Sequence, residues 1–187
     1  MKYIITLSLL LSLFVCKSQK IDYNNFDKKL FEKVLFDKLN HYRKLKKVEP
    51  LIWSNTLYSE ITVHQMEKIC KLNYLHHPDL KPVWDSIRVR KLIGDESTKL
   101  VGVKTFEINN GPMIRLFENC LFTNYKSNTY EDLADYCIKL FDDSYMHMCT
   151  QYAPYQQNNK PGLASCTVGF TNRGMYVGFD FVRVYRN

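Results

Sequence analysis

The chain has 187 residues, with 26 Lys+Arg against 19 Asp+Glu and a formal net charge of +7. That length suits one domain with a substantial core, and no repeat, low-complexity tract or linker divides it. The basic residues are scattered, the densest group being "YRKLKK" within a helical pattern, which argues against a nucleic-acid footprint.

The N-terminus reads as an export signal. Lys2 precedes an apolar run from Ile4 to Val15, and Cys16 and Ser18 place small residues at −3 and −1 before Gln19. The run is short beside the ~20 residues of a membrane helix, and no other segment is long enough to span. Lipidation of Cys16 is the alternative, disfavoured because Val15 is bulky for the position before a lipidated cysteine. Cleavage after Ser18 would remove Lys2 and Lys17, leaving 24 basic against 19 acidic side chains, a net +5. The expected product is secreted or periplasmic, not transmembrane, and monomeric.

In chain order the elements are helices first and a hairpin last. From Asp27 to Lys47, Leu30, Phe31, Val34, Leu35, Leu39, Tyr42 and Leu45 recur at three- and four-residue spacings and predict a helix with one apolar stripe. Leu51 and Trp53 in "VEPLIWS" read as core pegs. Ser54 stands where an N-cap belongs, before a second helix traced by Leu57, Ile61, Ile69 and Leu72. The stretch from His76 through Asn110 carries no clear period and reads as loop-rich. Thr129 followed by Asp132 resembles a capping box, ahead of a helix burying Leu133, Cys137, Leu140 and Phe141. Leu163–Phe170 and Met175–Val184 are β-rich and flank "TNRG", a hairpin turn, with Val177, Phe179 and Phe181 alternating onto one face. The sum is an α+β domain.

Five cysteines follow the signal: Cys70, Cys120, Cys137, Cys149 and Cys166. Export predicts disulfides, and the odd number predicts at most two within a monomer and at least one free thiol. No CxxC pair occurs, so neither a zinc knuckle nor a thioredoxin-type site is indicated.

Several strings together resemble one family. "LNHYRKLKKVEPLIWSNTL", with Asn40 and Arg43 three apart and Leu51-x-Trp53 after them, is similar to the opening of the CAP superfamily (cysteine-rich secretory, antigen 5 and pathogenesis-related proteins). "LHHPD" matches the histidine after its second helix, "FEN" at Phe117–Asn119 part of its "GEN", and "FDDSYMH" its bacterial Trp-x-x-Ser-x-x-His, with Phe141 in the tryptophan's place. "LASCTVGFTNRGMYVGFDF" looks like its closing hairpin. The likeness runs from about Leu30 to Phe181. It implies an α-β-α sandwich, helices flanking a small antiparallel sheet, around a cleft that in some members holds a divalent metal.

By that resemblance the cleft residues are His76 or His77, Glu118, Ser144 and His147, with His77, Glu118 and His147 as metal ligands, Zn²⁺ foremost. Imidazoles and a carboxylate are ordinary zinc ligands, and three of them leave one coordination position open. Phe117 replaces the motif glycine, which makes Glu107 the fallback acid. Ser144 stands where eukaryotic members carry a second acid, and its neighbour Asp143 would point elsewhere on a continuing helix. His41 and His64 read as surface histidines, Asn40 and Arg43 as structural contacts. Two functions follow. One is a secreted binding module for a small apolar, lipid-like or protein ligand, and not an enzyme. The alternative is a metal-dependent, peptidase-like extracellular hydrolase in which Glu118 serves a metal-bound water. No Gly-rich elbow surrounds Ser144, which disfavours a serine nucleophile.

Overall fold

A computed structural model describes residues 19–75, 91–93, 95–96, 113–152 and 162–185. His76, His77 and Glu107 lie outside the described residues, as do the export segment and Cys16.

Helix α1 (Lys28–Leu45) starts at Asp27, whose carboxylate accepts from Leu30 N at 2.9 Å, and ends with Arg43 and Lys44 facing the negative end of the helix dipole. Strand β1 (Ile52–Trp53) follows. Ser54 then caps a helical run, accepting from Leu57 N at 3.0 Å. The run passes from α2 (Asn55–Leu57) through a π-helical turn (Tyr58–Thr62) into α3 (Val63–Leu72). Asn73, in the left-handed conformation at φ 56°, stops it. After β2 (Met113–Thr123), the Thr129 hydroxyl accepts from Asp132 N at 3.2 Å and opens α4 (Tyr130–Asp142). A corner at Asp143–Ser144 leads to α5 (Tyr145–Tyr152), and β3 (Leu163–Phe170) and β4 (Met175–Tyr185) close the chain. The second helix, the capping box and the hairpin thus form where the sequence places them.

The sheet order is β1-β3-β4-β2. β4 pairs antiparallel with both β3 and β2, while β1 adds in parallel, so the sheet is mixed rather than wholly antiparallel. Alternation gives it two distinct faces. One carries Cys166, Val168, Val177, Phe179, Phe181 and Leu121, packed with Phe31, Leu35 and Leu39 of α1 and Leu133, Cys137 and Phe141 of α4. Phe179 stacks on Phe181 at 5.7 Å and takes the Phe141 ring edge-on at the same separation. The other face meets α3, where Met66 and Ile69 pack on Cys120 and Tyr176. Gly169 permits that approach: a Cβ there would lie 2.3 Å from Cys70 Sγ and 2.8 Å from Met66. Helices thus cover both faces of one sheet, an α+β three-layer sandwich.

Two further expectations are corrected. Leu45 and Leu72 are 64% and 52% exposed, because each stands in the last turn of its helix, past the core. All five described cysteines are free thiols rather than disulfide-bonded. The physical reason is placement: Cys137 and Cys166 are buried in the α1–α4 core, where Cys166 Sγ donates to Glu32 O at 3.3 Å, whereas Cys120 packs on the opposite sheet face. Helix α4 ends at Asp142, and Asp143 caps it at an exposed corner.

Candidate functional site

Two residues of the resembling pattern act as struts. Asn40 Nδ2 donates to Leu51 O at 3.0 Å and its Oδ1 accepts from Leu51 N at 2.7 Å, clamping the entry to β1 onto α1. Buried Arg43 donates through Nε to Glu49 O at 2.8 Å and through a terminal nitrogen to Gln151 O. It thereby ties α1 to the far end of α5. Both are structural, as expected.

Helix α5 carries His147. Ser144 opens it, its carbonyl accepting from Met148 N at 2.8 Å. Asn119 Nδ2, from β2, donates to the His147 carbonyl at 3.0 Å. The half-buried His147 ring meets the Phe141 ring edge-on, with centroids 5.5 Å apart. The helix is therefore fastened at His147 to the strand and at Gln151 to α1. Gln151 is fully buried, and its side-chain amide atoms have no hydrogen-bond partner.

Glu118 adjoins Asn119 on β2 and so projects to the other face, in register with Asp180 of β4. Ser165 of β3 completes the row on Asp180's far side. Over this row lies the π-helical turn and the start of α3. Thr62 Oγ1 and Ser165 Oγ are 2.6 Å apart, and Thr62 Oγ1 also donates to Leu57 O at 3.3 Å. Asp180, Thr62, Gln65 and Ser165 are all fully buried, while Glu118 is half-buried. Burial pushes the Asp180 carboxyl well above the usual carboxylate range; the Thr62 hydroxyl opposes this and the Glu118 charge adds to it. Cys120 is pushed up to about 12, chiefly by burial and further by Glu118 and Asp180.

A second buried acid sits on the rim of β3. Glu32 of α1 accepts from Tyr58 Oη at 3.1 Å and from Thr167 Oγ1 at 2.5 Å, with Lys28 Nζ at 3.7 Å. The π-helical turn thus presents Tyr58 to one acid and Thr62 to the neighbourhood of the other. π-turns recur at functional sites for this kind of reorientation.

Of the residues the sequence nominated, Glu118, Ser144 and His147 are described. Ser144 and His147 share the start of α5, and Asn119 links that start to the strand bearing Glu118. His41 and His64 are exposed, the latter 3.5 Å from Glu67, in keeping with the surface reading. Among the described residues no three His, Cys, Asp or Glu side chains gather as a metal group. Asp180, Gln65 and Thr62 were missed. The signal for Asp180 was present: one carboxylate in the apolar strand "MYVGFDFV", on the face opposite its flanking phenylalanines.

No family model matches the chain, and no curated protein matches it. Among solved structures, it is similar to a cysteine-rich secretory protein from Staphylococcus aureus subsp. aureus Mu50, at 15% identity and a TM-score of 0.49. That match covers 83% of this chain and 39% of the other, so the chain spans well under half of that protein's length. Among the described residues, no helix is long and apolar enough to cross a membrane.

Proposed function

We propose that this is an exported CAP-type binding protein whose cleft, at Glu118, Ser144 and His147 with His76 or His77, engages a small apolar, lipid-like or protein ligand and takes a divalent metal such as Zn²⁺. The observation that carries this reading is the Asn119–His147 hydrogen bond, which fastens the helix bearing the histidine to the strand bearing the acid. β2 is the outer strand of the described sheet, and its neighbours Glu118 and Asn119 project to opposite faces. The resemblance in order and spacing of the motifs supports the same assignment.

The test is zinc titration calorimetry. Binding is expected to be tighter at pH 8 than at pH 5, because imidazole, with an ordinary pKa of about 6.5, must be neutral to donate its lone pair. His147→Ala weakens it and His41→Ala does not. Absence of zinc binding by the wild type at pH 8 overturns the metal, and equal loss in both variants overturns the placement. Hydrolysis of a peptide, ester or phosphodiester panel by the zinc-loaded protein would favour the hydrolase. Export is tested by mass spectrometry of secreted protein: Gln19 is expected at the N-terminus, and an intact Met1 or lipidated Cys16 overturns the cleavage site. Gln19 O already accepts from Tyr130 N at 3.2 Å, a bond that cleavage leaves in place.

A further inference from the structure

Asp180 presents an unsolved problem of charge. It is fully buried, and the Thr62 hydroxyl is the hydrogen-bond donor that faces its carboxylate among the described residues. That hydroxyl also lies 2.6 Å from Ser165 Oγ and 3.3 Å from the Leu57 carbonyl, so its single proton is shared among several acceptors. Gln65 is also fully buried, with neither amide atom partnered. Its carbonyl lies over Gly178, where an added Cβ would be 3.4 Å from Oε1. Gly178 precedes Asp180 by two residues on the same face, so amide and carboxylate border one space. Buried polar groups in native proteins are almost always satisfied, by protein, water or an ion. Here they are on one sheet face beneath one helical turn.

The donor set indicates what fits. Glu118 stands directly across from Asp180 in the antiparallel ladder, a position at which Cβ atoms are about 5 Å apart. The Glu118 charge opposes ionisation of Asp180, and a proton or a cation at Asp180 relieves that opposition. The remaining groups are the Gln65 amide carbonyl, the Thr62 and Ser165 hydroxyls, and the Cys120 thiol beside Glu118, which burial keeps protonated and so a poor ligand. Imidazole and thiolate favour zinc, whereas carboxylate, amide and hydroxyl oxygens favour hard ions such as Ca²⁺ or Mg²⁺. Half-buried Glu118 gives the row an opening toward solvent, while Asp180 lies inside.

We infer that Asp180, Glu118 and Gln65, with the Thr62 hydroxyl, form an oxygen-lined site for a hard divalent cation between α3 and the sheet. Glu118 is shared with the cleft proposed above, but the site's other ligands are not, and it needs no histidine. The cation neutralises the carboxylate pair and joins α3 to β2 and β4 through its ligands.

The experiment uses the full mature chain, stripped with EDTA and titrated with CaCl₂ and, separately, MgCl₂ at pH 7.5. One equivalent of at least one of these ions is expected to bind and raise the melting temperature. Asp180→Asn and Gln65→Ala each weaken binding tenfold or more, while His41→Ala, at an exposed histidine, leaves it within twofold. A circular-dichroism melt of each variant verifies that it is folded, and Glu118→Gln serves as a second carboxylate test. If neither ion binds the folded wild type, or Asp180→Asn binds as the wild type does, the site is wrong and a proton neutralises Asp180. If His41→Ala abolishes Ca²⁺ or Mg²⁺ binding, the oxygen site is likewise overturned. The histidine cleft stands or falls separately, on zinc at pH 8.

Discussion

Glu32 and Asp180 are both buried acids on the same sheet, and they are treated in opposite ways. Glu32, on α1, reaches β3 where β1 no longer covers it, and there it gains two hydroxyl donors and an ammonium group. Asp180 projects from β4, gains a share in the Thr62 hydroxyl and no cationic partner among the described residues, and faces another carboxylate. The first arrangement holds helix to sheet. The second costs stability, because burying an unpaired carboxylate is expensive. A fold that pays this penalty in one place and avoids it in another marks the first place as one where something besides stability has been selected.

The comparison can be broken from the Glu32 side. Glu32→Ala leaves the Tyr58 and Thr167 hydroxyls without their acceptor, and hydrogen bonds to charged groups are worth about 1.5–3 kcal/mol each. A loss of about 3 kcal/mol in urea unfolding is expected. A loss below about 1 kcal/mol would make Glu32 a surface-like acid despite its burial.

Asp180→Asn should act with the opposite sign. The native pKa is raised above the unfolded value of about 3.9. The native state therefore holds its proton more tightly, and wild-type stability falls as pH climbs from about 4 toward the native pKa. Asn carries no such burden. In EDTA the variant should match the wild type near pH 4 and exceed it by about 2 kcal/mol at pH 7.5, a size taken from the cost of an unsatisfied buried group. Equal pH slopes for both proteins would mean Asp180 is not the group responsible.

Much of this architecture was legible beforehand, and the reason is local. Asp27 and Thr129 cap their helices with their own side chains, and "TNRG" sets a turn whose Gly174 has φ 153°. Such signals need no knowledge of the rest of the chain. Strand β2 was not legible, because Glu118 and Asn119 interrupt its apolar run; what they face, Asp180 and the His147 carbonyl, lies far along the chain. The candidate site was half visible for the same reason. Glu118 and His147 stood out through their motifs, whereas Gln65 and Thr62 look like ordinary helix residues until the π-helical turn and β3 bring them under the sheet.

The close approach that seals Asp180 can be loosened directly. Gly169→Ala would place a methyl group within 2.8 Å of Met66 and closer still to Cys70 Sγ, so α3 must shift. Overpacking of this kind costs about 1–3 kcal/mol, and a value near 1.5 is expected because Met66 is flexible. The variant should also expose Asp180 and flatten the fall in stability above pH 4. A destabilised variant with the wild-type pH slope would separate α3 packing from the burial of the acid.

The mildest probe changes no residue and reads the two sheet faces through their thiols. Cys137 and Cys166 lie in the apolar core and Cys120 under α3, all buried, whereas Cys70 and Cys149 are half-exposed. Burial pushes Cys120 and Cys137 up to about 12 and raises Cys166 too, so at pH 8 these three remain protonated as well as shielded. Ellman's reagent added to the folded mature protein at pH 8 should therefore titrate no more than two thiols quickly. In guanidinium without reductant, all five should react. Fewer than five under denaturing conditions would reveal a disulfide and restore the expectation drawn from export. If Cys120 reacts quickly while Cys137 and Cys166 stay silent, the α3 face opens in solution and the apolar face does not. Asp180 would then be reached by water and lose the cause of its raised pKa.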